Sequence, residues 1–250
     1  MAVTVRDVLY FYRNARAAYE RFIGINVKEG VARNAVALLI WLDQGDQQVM
    51  SYLPGMTPAA LGHLAEEAAS ILDCLRQQNH ELPPTPLISA LCQDSLCPEY
   101  FTFNQDLIVR GVADILAGVG VLVFDDRLYL LMRRYQTGLV GHMPELDAPY
   151  TCNPVTVPQD CRSMFVTFSR GQPVERDDIF NYFRENWGDC IVRVLIEKTT
   201  GGTHPMYGRI VFKNEAFVSL VLNGEDRISL TINGREIWLR KYKPRPHVIA

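Results

Sequence analysis

The chain has 250 residues, 48% of them hydrophobic, and a formal net charge of −3; it is long enough to bury more than one core, and two domains suit it better than one. No stretch approaches the roughly 20 apolar residues of a membrane span, the longest, Ile115 to Phe124, being short and broken by glycine. Arg6 is followed by an amphipathic pattern rather than a continuous apolar run, which argues against a secretory signal and leads us to expect an intracellular chain with reduced thiols.

Residues 1–135 lack strand alternation and are expected to form an all-α N-terminal domain. Thr4 and Asp7 form a capping pair ahead of Val8, Phe11, Tyr12, Ala15, Tyr19 and Phe22, which recur at helical spacing. A second helix is expected from Lys28 to Leu42. A third starts at Thr57-Pro58, a cap followed by Pro at the first helical position, and runs through Leu75. Gln77 to Pro86 is a proline-rich linker, and Asn104 is placed to cap a helix through Leu107, Val112 and Ile115. Gly118 and Gly120 lack the third glycine of a dinucleotide fingerprint and read as a helix break. Asp126 to Tyr135 closes the domain. Its polar groups converge on no catalytic pattern, so it reads as a protein-interaction or packing module. Tyr10, Trp41 and Tyr52 could offer a binding face, although such residues are more often core.

Cys74, Cys92, Cys97, Cys152, Cys161 and Cys190 match no zinc-site spacing, and the histidines complete none, so isolated thiols are expected and no metal or cofactor. From Gln136 to Arg162 the chain carries Gly138, Gly141, Pro144, Pro149, Pro154 and Pro158, the composition of a linker free to lie across the helical domain.

Beyond it the periodicity changes. Met164-Phe165-Val166-Thr167-Phe168-Ser169 alternates as a strand, and after Gly171-Gln172-Pro173 a helix runs from Val174 to Phe183 with Glu175, Asp177 and Asp178 near its start. Cys190 to Ile196 is β-branched enough for a second strand. Tyr207 to Phe212 is a third, and Asn214 caps a helix from Glu215 to Leu222 closed by Asn223-Gly224. Asn233-Gly234 marks a type I′ hairpin, and Ile237 to Tyr242 supplies the last strand.

These segments resemble an RNA-recognition motif. The shorter signature strand of that family starts apolar, aromatic, apolar, as Met164-Phe165-Val166 does; Phe168-Ser169 departs from its end. The longer reads basic, Gly, aromatic, Gly, aromatic, apolar, any, aromatic. Here Tyr207, Gly208, Ile210 and Phe212 keep it, and Arg209 replaces the second stacking aromatic. The turns Trp187-Gly188-Asp189-Cys190 and Leu222-Asn223-Gly224-Glu225 are similar to those of a plant group with a helical N-terminal region before one divergent motif. The resemblance implies an α+β sandwich of βαββαβ, ferredoxin-like order over residues 163–245, binding of single-stranded RNA or DNA, and a location in the nucleus, shared with the cytoplasm.

Strand alternation assigns the open sheet face. With Met164, Val166, Ile210, Ile237 and Leu239 turned toward the helices, Phe165, Thr167, Tyr207, Arg209, Trp238, Arg240 and Tyr242 face outward, and Lys241 and Lys243 add charge beside them. Residues 158–250 hold 14 Lys and Arg against 11 Asp and Glu, whereas the rest of the chain is acidic. Rings with interleaved cations form a stacking platform for single strands, with strongly salt-dependent binding. The alternative is an adaptor whose altered motif binds protein instead. No paired carboxylates, nucleophile elbow or phosphate loop points to an enzyme.

Overall fold

A computed structural model of the protein describes residues 2–44, 48–77, 84–92, 98–151, 157–169, 172–199 and 204–244. Most of the proline-rich stretch after Gln77 lies outside them, as do Cys97, Cys152, Gly171, Gly201, Gly202 and Arg245.

The capping pair opens α1 (Val5–Phe11): the Thr4 hydroxyl accepts the Asp7 N–H, and the Asp7 carboxylate accepts the Thr4 N–H at 2.9 Å. Helical periodicity runs on through Phe22, yet the helix breaks at Tyr12 before α2 (Arg13–Gly24). The two pieces bury different faces. Val5 and Leu9 join a small satellite cluster, whereas Ala15, Tyr19 and Phe22 enter the main core, and one straight helix cannot serve both. Next comes α3 (Glu29–Leu42), buried on nearly every side. It is followed by α4 (Val49–Tyr52), α5 (Pro58–Gln77), α6 (Pro86–Leu91), α7 (Pro98–Phe103), α8 (Gln105–Ala117), α9 (Gly120–Val123) and α10 (Asp126–Gln136).

Asn104 does not cap α8. Its backbone lacks the extended cap conformation, and its side-chain amide instead donates at 2.9 Å to the Tyr100 carbonyl, which also accepts the Asn104 backbone N–H. Asp125 does cap α10, accepting the Leu128 N–H at 3.0 Å. The stretch after α10 lies across the helical domain. It forms α11 (Pro144–Asp147), buries Leu146 against Val5, Leu9, Leu128 and Met132, and bridges to Thr4 at Pro149.

The C-terminal part contributes β1 (Ser163–Phe168), α12 (Arg176–Trp187), β2 (Ile191–Ile196), β3 (Tyr207–Phe212), α13 (Glu215–Leu222), β4 (Arg227–Ile232) and β5 (Arg235–Lys241). It is an α+β unit whose strands pair antiparallel throughout in the order β2-β3-β1-β5-β4. The sheet thus has five strands where the βαββαβ expectation counts four. The extra one is the first arm of the Asn233-Gly234 hairpin, both of whose turn residues have positive φ, as a type I′ turn requires.

Three layers result. The sheet packs its inner face on α12 and α13, and α8 crosses both helices from the far side while α3 touches α13. One continuous hydrophobic core runs through all of it, from Phe22 and Leu39 to Phe183, Val221 and Leu239. A polar joint at the C-terminus of α13 ties the layers further. Arg76 donates to the Val221 carbonyl at 3.1 Å, Asn34 to Ser219 O at 3.1 Å and to Asn223 Oδ1 at 3.0 Å, and Asn223 to Asp73 at 2.8 Å. Of these acceptors, the Val221 carbonyl is one that the helix end leaves without a backbone partner, whereas Ser219 O also accepts the Asn223 N–H. Gly224, at φ +82°, sits against Val31 so closely that any side chain there would collide with it.

Candidate nucleic-acid interface

β1 and β3, the strands with the signature residues, lie side by side in the middle of the sheet, in a register that sets Phe165 opposite Arg209 and Thr167 opposite Tyr207. On the other side of β1, β5 places Arg240 opposite Phe165 and Trp238 opposite Thr167. Met164, Val166, Ile210, Ile237 and Leu239 are fully buried beneath, so the outward set is the complementary one. Phe165, Thr167, Tyr207, Arg209, Trp238, Arg240 and Tyr242 share the open face, with Lys243 at its rim, and none of the four rings is buried.

The rings and cations are already in contact. Phe165 stacks on Tyr207 with centroids 5.6 Å apart and planes 23° from parallel. The Arg240 guanidinium lies 4.5 Å over Phe165, Arg209 lies 3.9 Å over Tyr242, and Arg227 lies 4.1 Å over Trp238. The contacts of the exposed Arg227 and Arg240 with their rings are worth about 0.5–1 kcal/mol each, little enough that another partner can replace them. Tyr207 is 41% exposed. A groove of ≈ 640 Å³ opens over this surface, lined by Phe165, Leu195, Tyr207, Arg209, Arg240 and Tyr242 among others.

The cations differ in availability. Arg209 bonds Asp160 and the Ser163 hydroxyl, and its side chain is only 20% exposed. Among the described residues Arg227, Arg240 and Lys243 form no ion pair. Lys241 does not belong to the site. Alternation turns it to the helix side of β5, where it pairs with Glu215 of α13 at 2.7 Å.

Arg227 and Asp160 join the site without having been singled out from the sequence. Arg227 had a readable signal, since Arg227-Ile228-Ser229-Leu230-Thr231-Ile232 alternates strictly before a two-residue turn, and that turn fixes Arg227 opposite Arg240. Asp160 had none, being a turn residue brought to Arg209 only by the fold.

Elsewhere the chemistry is sparse. Among the described residues no group of three or more His, Cys, Asp or Glu is placed to hold a metal ion, and no helix is long and apolar enough to cross a membrane. Burial pushes the Cys190 thiol up to about 12 and the Cys92 thiol up to about 11, which removes thiolate reactivity near neutral pH. In comparisons with known proteins, no family model, no curated protein and no solved structure matches the chain.

Proposed function

We propose that the protein binds single-stranded nucleic acid, RNA or DNA, on the open face of its C-terminal sheet. One observation carries the reading: Phe165, Tyr207, Trp238 and Tyr242 lie on one accessible face with a guanidinium over Phe165, Trp238 and Tyr242. Stacking on such rings contributes about 1–3 kcal/mol per base, and it tolerates any base because every base has a π-face. Without the edge strand β4, the connectivity reduces to βαββαβ with β1 and β3 at the centre, which supports a divergent RNA-recognition motif in which Arg209 stands in for the second ring. The role is binding rather than catalysis, and a nuclear location accords with it.

Anisotropy titration with short oligouridylates and oligodeoxythymidylates tests this at 50 and 200 mM salt. The expected result is measurable affinity at the lower salt, a clear fall at the higher, and at least a tenfold loss when Phe165→Ala and Tyr207→Ala are combined. Absence of binding at low salt, or a double variant indistinguishable from the parent, contradicts the proposal.

The helical domain is assigned to a protein partner, a reading favoured by Phe11 and Phe103, which are 75% and 84% exposed on its surface. A second reading of the whole chain, an adaptor without nucleic-acid affinity, draws on the engagement of Arg209 by Asp160 and Tyr242. A partner captured through residues 163–245 and retained after nuclease treatment would favour it.

A further inference from the structure

We propose that the fifth strand adds a separate nucleotide station to the open face, built from Trp238, Arg227 and Ser229 and centred on a phosphate held between Arg227 and Arg240. The inference rests on the single-strand-binding reading above and extends it beyond the four strands that the motif needs. β4 buries Ile228, Leu230 and Ile232 inward and turns Arg227, Ser229 and Thr231 outward. Its register with β5 sets Ser229 opposite Trp238 and Arg227 directly opposite Arg240.

That last pairing points to the occupant. Like charges directly opposite each other on antiparallel strands destabilise the sheet. Neither Arg227 nor Arg240 is compensated by a carboxylate among the described residues; each rests on a ring, Arg227 on Trp238 and Arg240 on Phe165. An anion between them removes the repulsion and gains charge-assisted hydrogen bonds from both. A cavity of ≈ 270 Å³ opens at this place, lined by Phe165, Thr167, Arg227, Trp238 and Arg240. It adjoins the larger groove through Phe165 and Arg240, which line both. A phosphodiester bridging the two arginines leaves one adjoining base to stack on Trp238 and the chain on its other side to continue toward Phe165 and Tyr207. Glu236, the next outward residue of β5, is unfavourable for phosphate and closes the path beyond Trp238.

The test uses the full chain with oligouridylates and oligodeoxythymidylates of three and six nucleotides at low salt. The hexamer should bind about tenfold more tightly than the trimer, one additional stacked base accounting for the gain. Trp238→Ala and Arg227→Gln should each abolish that gain, so that hexamer and trimer bind the variant with nearly the same affinity. Trp238→Phe keeps a ring, so it should retain most of the gain while losing the oligomer-induced quenching of tryptophan emission. A hexamer advantage that survives in Trp238→Ala and Arg227→Gln, with quenching still present in Trp238→Phe, overturns the station and leaves the Phe165 and Tyr207 site standing. Failure of either oligomer to bind the parent chain removes the underlying reading and the station together.

Discussion

Arg209 occupies the position where a second stacking ring would be expected, and its surroundings define what it can do. Its guanidinium is held by Asp160, Ser163 and the face of Tyr242, so it is a fixed planar cation rather than a free one. Asp160 also sets a negative charge where a phosphate would approach. Asp160→Asn should therefore tighten oligomer binding about threefold at low salt, an effect that fades at high salt because the Asp160 carboxylate itself is open to solvent; anisotropy at two salt concentrations measures both parts. Lys241→Ala should leave affinity unaltered, since its partner is Glu215 on the opposite side of the sheet. The outward rings were legible from the period-2 pattern alone. Lys241 was misplaced by counting charge along the segment without applying the same alternation to it. Asp160 was beyond sequence reasoning, because a turn residue becomes a neighbour of a strand 49 positions away only once the chain has folded.

The helices are held by local chemistry that reads well and by tertiary contacts that do not. Asn214 caps α13, accepting the Phe217 N–H at 3.3 Å, and Thr4 with Asp7 caps α1; both follow from residue type and spacing. Thr4→Ala should cost about 1 kcal/mol in urea unfolding. The Thr4 hydroxyl and N–H hold the Asp7 carboxyl below its ordinary value of 3.8. Because the folded value is the lower one, the contribution of this cap is present above the ordinary range and is lost as pH falls through the depressed value; an NMR titration of Asp7 reports it directly. The C-terminus of α13 is marked by Asn223-Gly224, both at positive φ, but the donors that reach its carbonyls are not. Its carbonyls are met by Arg76 and Asn34, which belong to α5 and α3, and nothing in the composition of those helices marks either residue as reaching so far. Removing Arg76 as Ala should destabilise the protein by about 2 kcal/mol through the buried Val221 carbonyl it leaves unpaired, measured by urea denaturation. The short helices α6, α7 and α9 escaped periodicity because six residues or fewer complete less than two turns.

The helical domain and the sheet unit share one hydrophobic core, with α12 and α13 buried from both sides. A trace of this was visible in Glu215–Leu222, where only Glu215 and Ser219 are polar and Ala216, Phe217, Val218, Leu220, Val221 and Leu222 cover well over half of the circumference, the mark of a helix covered on more than one face. An isolated fragment of residues 158–245 should accordingly lack the dispersed amide spectrum of a packed domain, whereas the full chain should give one. The arrangement also reserves the outer sheet face, since the helical layers take up the other side. That division of surfaces is the centre of the account, and amide chemical-shift mapping on the full chain with a short oligouridylate tests it most directly. Perturbations should cluster on β1, β3 and β5 at Phe165, Tyr207, Arg209, Trp238 and Arg240 and spare α3, α5 and α8. Shifts confined to the helical layers, or none at an excess of oligomer in low salt, would contradict it.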